Sequence, residues 1–174
     1  MLRFVPGAGA ILLAALLLAS PTAGADTRRF DHDGIAFEYP ANWFLTRAPL
    51  GNAVNPKYRF AVSTVRIRPR NEEGPCLPKV AQQLGSADTL VYLREAVGAD
   101  RSRSLPRMQP RPRAFRLPSS RDRSLCGFGR GGRWIPFKEN GRAFYLGAYL
   151  GPRASSRTTQ ELARLVAGMT IRTR

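Results

Sequence analysis

Four groups of residues in this chain have types and spacings that could carry chemistry. Cys76 and Cys126 are its only cysteines. Asp31-His32-Asp33-Gly34 sets the single histidine between two carboxylates. Gly127-Phe128-Gly129-Arg130-Gly131-Gly132 matches the G-x-G-x-x-G pattern of dinucleotide loops. The interval from Arg94 to Arg133 carries 11 arginines against Glu95, Asp100 and Asp122.

Three of these groups read as structure. A dinucleotide loop needs a strand before it and a helix after it, so that helix N–H groups meet the pyrophosphate. Here a cysteine-bearing loop precedes and a β-hairpin pattern follows, so no cofactor is assigned. A calcium loop at Asp31–Gly34 would need further oxygen ligands and a closing Glu, and these are missing. With one histidine and no G-x-S-x-G elbow, no catalytic residue and no metal ligand is nominated. The cysteines lack the C-x-x-C spacing of a redox pair.

The arginines are the sharper question. Guanidinium forks match phosphate and carboxylate oxygens, and a cluster of them makes a positive field. Arg101, Arg103, Arg107, Arg111 and Arg113 are taken as the candidate anion-binding set. Stacking aromatics are sparse nearby, essentially Phe115 and Phe128, so no specific nucleic-acid recognition is expected. The competing reading is compositional: 25 of the 28 basic residues are arginine.

The N-terminus supplies the context. Arg3 precedes the apolar run Ala10–Ala19, Pro21 breaks it, and Ala23-Gly24-Ala25 is a small-x-small site. This reads as a Sec-type signal peptide over residues 1–25. The run is about half the ~20 residues a membrane span needs. No cysteine stands at its end, so no lipoprotein anchor is expected. Cleavage would remove one arginine and no acid, taking the net charge from +16 to +15. In an exported chain Cys76 and Cys126 are expected to form one disulfide.

Residues 26–174 then read as a single α+β domain. Asp33-Gly34 and Asn140-Gly141 sit between apolar runs as hairpin turns. Tyr58–Ile67 and Thr89–Glu95 read as strands, Arg113–Leu117 as a short one. Leu77–Leu84 and Ser155–Gly168 have helical spacing, the second with Thr158 and Glu161 placed as a capping box. Residues 97–112, rich in Arg and Pro, read as an extended exposed loop. The expected architecture is a mainly antiparallel sheet packed with a short mid-chain helix and a C-terminal helix.

Gly34-Ile35-Ala36-Phe37-Glu38-Tyr39-Pro40-Ala41-Asn42-Trp43, together with Gly141–Tyr145 and the helix after Leu150-Gly151, resembles the family of the photosystem II extrinsic protein PsbP and the Mog-type Ran-binding proteins. It is similar also to secreted proteins of high-GC actinobacteria. The resemblance implies an antiparallel sheet between helices and a non-enzymatic binding or scaffolding habit. It carries over no residues for photosynthesis or Ran binding. The functional expectation is a secreted monomeric binding module that contacts an anionic envelope polymer or lipid headgroups through its basic loop. The alternatives are a small secreted hydrolase and an accessory subunit that docks a protein partner.

Overall fold

The computed structural model describes residues 26–70, 76–119 and 131–173. The segment read as a signal peptide, and Cys126 with most of the glycine run, lie outside them.

Thr27–His32 (β1) and Ile35–Pro40 (β2) form the first hairpin, with all six residues of each strand in register. Asp33 and Gly34 turn the chain with φ of 55° and 74°, the doubly positive φ that a two-residue turn needs. Phe44–Thr46 (β3), Lys57–Ser63 (β4), Thr89–Ala96 (β5), Gly132–Glu139 (β6) and Arg142–Leu150 (β7) build a second sheet in the order β3-β4-β5-β7-β6. Asn140-Gly141 joins β6 to β7, again with both φ values positive. Thr170–Ile171 (β8) pairs with β2, giving a three-stranded sheet β1-β2-β8. Every strand pairing is antiparallel, and an isolated parallel bridge from Pro110 to Lys138 covers the β6 edge. The α+β reading stands, with its strands divided between two sheets.

The helices are Pro78–Ala81 (α1), Gly98–Ser104 (α2) and Ser156–Gly168 (α3). In α3, Leu162, Leu165 and Val166 are buried at helical spacing against Phe37, Phe60, Leu93 and Phe144. Burying side chains of this size contributes about 1.5 to 3 kcal/mol each, so this contact holds the helix and both sheets together. The opposite face of the larger sheet, with Tyr58, Ala61, Leu90, Tyr92 and Tyr149, is covered by Leu50, Ile67, Leu77 and Val80.

Several expectations are corrected. Residues 97–112 are not an extended loop: they hold α2 and a one-turn 3₁₀ helix at Leu105–Arg107. Pro106 falls in the first turn of that helix, where its missing N–H costs no hydrogen bond, and Leu105 and Met108 pack on Ala96 and Ala143. Arg113–Leu117 is not a strand, and Phe115 and Leu117 pack on the core as loop residues. The strand expected to reach Ile67 ends at Ser63, whose hydroxyl donates to Val65 O at 2.6 Å and closes a turn. Helix α1 is one turn and stops before Gly85. The cap of α3 is Ser155, whose Oγ accepts from Thr158 N at 3.0 Å, while Glu161 pairs with Arg157.

Candidate anion-binding cleft

Strand β5 is buried along its whole length, yet it carries two charged residues side by side. Side chains alternate across a sheet, so Glu95 points to the α3 face and Arg94 to the opposite one. The two charges meet different surroundings.

Glu95 is fully paired. Its carboxylate accepts from Arg142 Nε and Nη2 at 2.8 Å each, and Arg59 Nη2 lies 2.6 Å away. Arg59 Nη1 also donates to Asp33 Oδ2 at 2.7 Å. Two buried guanidinium groups are thus balanced by two carboxylates. Gly34 belongs to the same packing: a Cβ there would lie 3.1 Å from Arg142 Nη1. The role of Asp33 in the Asp-His-Asp-Gly segment is therefore to neutralise Arg59, and His32 stands exposed at the turn.

Arg94 is 2 % exposed. Its Nε donates to Pro56 O at 3.2 Å, and its guanidinium stacks over Tyr58 and Trp134 at 5.0 and 5.8 Å from the ring centroids. No carboxylate among the described residues pairs with it, and its Nη groups have no acceptor there. A buried cation without a counter-ion is costly, and cation–π contacts offset about 0.5 to 2 kcal/mol each. The field of Arg94 is felt nearby. Burial raises the Tyr92 phenol above its ordinary pKa, Tyr58 adds to the rise, and Arg94 opposes it.

Arg94 lines a cleft of about 450 Å³ with Asn55, Pro56, Asp100, Trp134 and Tyr145. Tyr145 is its cross-strand neighbour on β7, and the Trp134 and Tyr145 rings lie 5.4 Å apart. Asn55 fixes the rim: its side-chain amide donates to Val97 O at 3.0 Å and accepts from Val97 N at 3.1 Å. A second cleft of about 440 Å³ shares Asp100 and Tyr145 with the first and adds Arg103, Ser104 and Arg107. The pair forms a groove crossed by Tyr145, whose hydroxyl lies 3.0 Å from Ser104 Oγ.

The five arginines read from the sequence separate in the structure. Arg103 and Arg107 are exposed and border the groove, Arg103 with its Nη2 3.6 Å from Asp100. Arg101 donates from Nε to Gly141 O at 3.0 Å and holds the β6–β7 turn. Arg111 is engaged in the fold: Nη1 donates to Met169 O and Glu139 Oε2 at 2.6 and 3.1 Å, and Nη2 to Val166 O at 2.9 Å. It satisfies carbonyls at the C-terminus of α3, where a cation is favoured. Arg113 is exposed and lines neither cleft. Arg94 is the residue that reading by the loop alone did not single out. Its signal was a charged residue on the same face as Leu90 and Tyr92 of a buried strand.

Cys76 is half-buried just before α1, and its expected partner Cys126 falls outside the described residues. Gly131 directly precedes β6, which begins at Gly132. No helix among the described residues is long and apolar enough to cross a membrane. No family model, curated protein or solved structure matches the chain.

Proposed function

We propose that this chain is an exported binding module that holds an anionic component of the cell envelope, a polymer or a lipid headgroup, in the groove between α2 and the β6–β7 face. The observation that carries the reading is Arg94, a buried guanidinium at the wall of a cleft, whose Nη donors have no acceptor among the described residues. Arg103 and Arg107 extend the positive charge along the groove. An arginine fork with unmet donors favours an oxyanion, since charge-assisted bonds to such groups are roughly twice as strong as neutral ones. The signal-peptide pattern at residues 1–25 and the proposed Cys76–Cys126 disulfide support a site outside the cytosol. The resemblance to the PsbP and Mog-type family agrees with a binding role.

The test is retention on an immobilised anionic polymer. Arg103→Gln/Arg107→Gln should elute at clearly lower salt than the parent chain. Arg28→Gln/Arg164→Gln loses the same charge from exposed positions elsewhere and should elute close to the parent. If the two double variants elute together, the charge acts only through composition and the groove reading fails.

A further inference from the structure

The groove is more than a positive surface, because its wall is aromatic and its rim holds a carboxylate. Trp134 and Tyr145 both line the Arg94 cleft and both are half-buried. The cleft volume of about 450 Å³ lies within the ~300 to 1,000 Å³ common for small-molecule sites. One strongly placed guanidinium serves one oxyanion. Asp100 lines the same space with its Oδ1 3.6 Å from Arg103 Nη2, so the cleft holds a carboxylate as well as Arg94. A phosphate monoester, carrying about −1.5 to −2 at neutral pH, would be repelled by Asp100 more than a carboxylate with a single charge. The Asp100 carboxylate can instead accept hydrogen bonds from ligand hydroxyls, and the Tyr145 hydroxyl can donate or accept.

From this combination we infer that the Arg94 cleft is a subsite for a uronic-acid residue of an acidic glycan. The sugar carboxylate takes the free Nη donors of Arg94. The ring stacks on Trp134 and Tyr145, and the hydroxyls meet Asp100 and the Tyr145 hydroxyl. Arg103 and Arg107 lie further along the groove, where the next acidic residue of a chain would pass. The inference rests on the binding role proposed above and names the ligand of that site.

The experiment compares three probes by calorimetry: trigalacturonate, neutral galactotriose and tripolyphosphate. Trigalacturonate should bind at least tenfold more tightly than galactotriose and more tightly than tripolyphosphate. Arg94→Lys keeps the charge and loses the fork, and should weaken trigalacturonate at least tenfold while changing tripolyphosphate less than threefold. Saturation transfer from aromatic protons to the sugar ring protons, measured on the unmodified chain, keeps the test open if the variant does not fold. Absence of that transfer, or equal affinity for galactotriose, overturns the inference. Tripolyphosphate binding that depends on Arg103 and Arg107, with no trigalacturonate binding, overturns the subsite and leaves the polyanion reading standing. No binding of either anion overturns both.

Discussion

The guanidinium carbon of Arg94 lies 5.0 Å from the ring centroid of Tyr58 on the neighbouring strand. The two residues are cross-strand partners in the β4–β5 pairing. Ring and cation supply each other with a contact that a carboxylate would otherwise make, and the outer donors of Arg94, which lines the cleft, have no acceptor among the described residues. One residue further along β5, Glu95 on the other face is closed off by Arg59 and Arg142. The same strand thus presents a satisfied charge to the core and, beside a cavity, one with no counter-ion among the described residues.

Glu95→Ala should be strongly destabilising. It leaves Arg142 and Arg59 buried and short of a counter-ion, both with side chains at most 4 % exposed. Breaking one side of a buried pair costs about 3 to 5 kcal/mol. Urea unfolding followed by tryptophan emission measures it. A loss below about 1 kcal/mol would show that the network does not hold the sheet to the first hairpin.

Gly147→Ala should be destabilising by about 1 to 3 kcal/mol through overpacking. A Cβ at Gly147 would collide with the Tyr92 ring, which lies across the strand at that position. Gly168→Ala, at the end of α3 with nothing within 4 Å of the new Cβ, should be neutral or slightly stabilising. Thermal melts of the two variants against the parent separate packing from a general effect of losing glycine.

Stability should fall in alkali. Burial raises the Tyr92 phenol, and burial with the Asp88 charge raises Tyr149. Each folded-state pKa then exceeds the unfolded value of about 10. The folded state holds its protons where the unfolded state releases them. This contribution is complete below about pH 10 and is lost as the pH rises toward the folded values. Urea midpoints from pH 8 to 11 should decline above pH 10, with a shallower slope in Tyr92→Phe. An unchanged slope in that variant would contradict the role given to Tyr92.

The Cys76–Cys126 disulfide, proposed from the export pattern and the cysteine count, should add about 2 Da to the intact mass on reduction. Closing a loop of that size is worth about 4 kcal/mol in the chain-entropy model. Cys76→Ser/Cys126→Ser should unfold at correspondingly lower urea. A mass unchanged by reductant would remove the disulfide from the account.

How much of this was legible in the sequence differs by element. Both hairpins were, because Asp33-Gly34 and Asn140-Gly141 state a backbone conformation directly through residues that tolerate positive φ. Helix α3 was, because its apolar stripe matches the helical period over thirteen residues. Helix α2 was not. It is a seven-residue helix without a buried residue, and its arginines and the following prolines imitate a solvated loop. The chain is held there by contacts distant in sequence: Arg101 to Gly141, Asn55 to Val97, and Leu105 and Met108 against Ala96 and Ala143. The arginine set was legible as a composition and not as a surface. Arg111 and Arg107 are four residues apart with the same side chain, and only tertiary contacts send one to the α3 carbonyls and the other to the groove.

The central claim is that anions gather at the Arg94 groove and not over the whole basic surface. It is tested most directly by the arginine Nε–Hε resonances of the labelled chain during titration with trigalacturonate at moderate salt. Arg94, Arg103 and Arg107 should shift together along one saturable curve, while Arg111 and Arg142, committed to carbonyls and to Glu95, stay in place. Shifts spread evenly over Arg28, Arg113 and Arg164, with Arg94 unmoved, would contradict it.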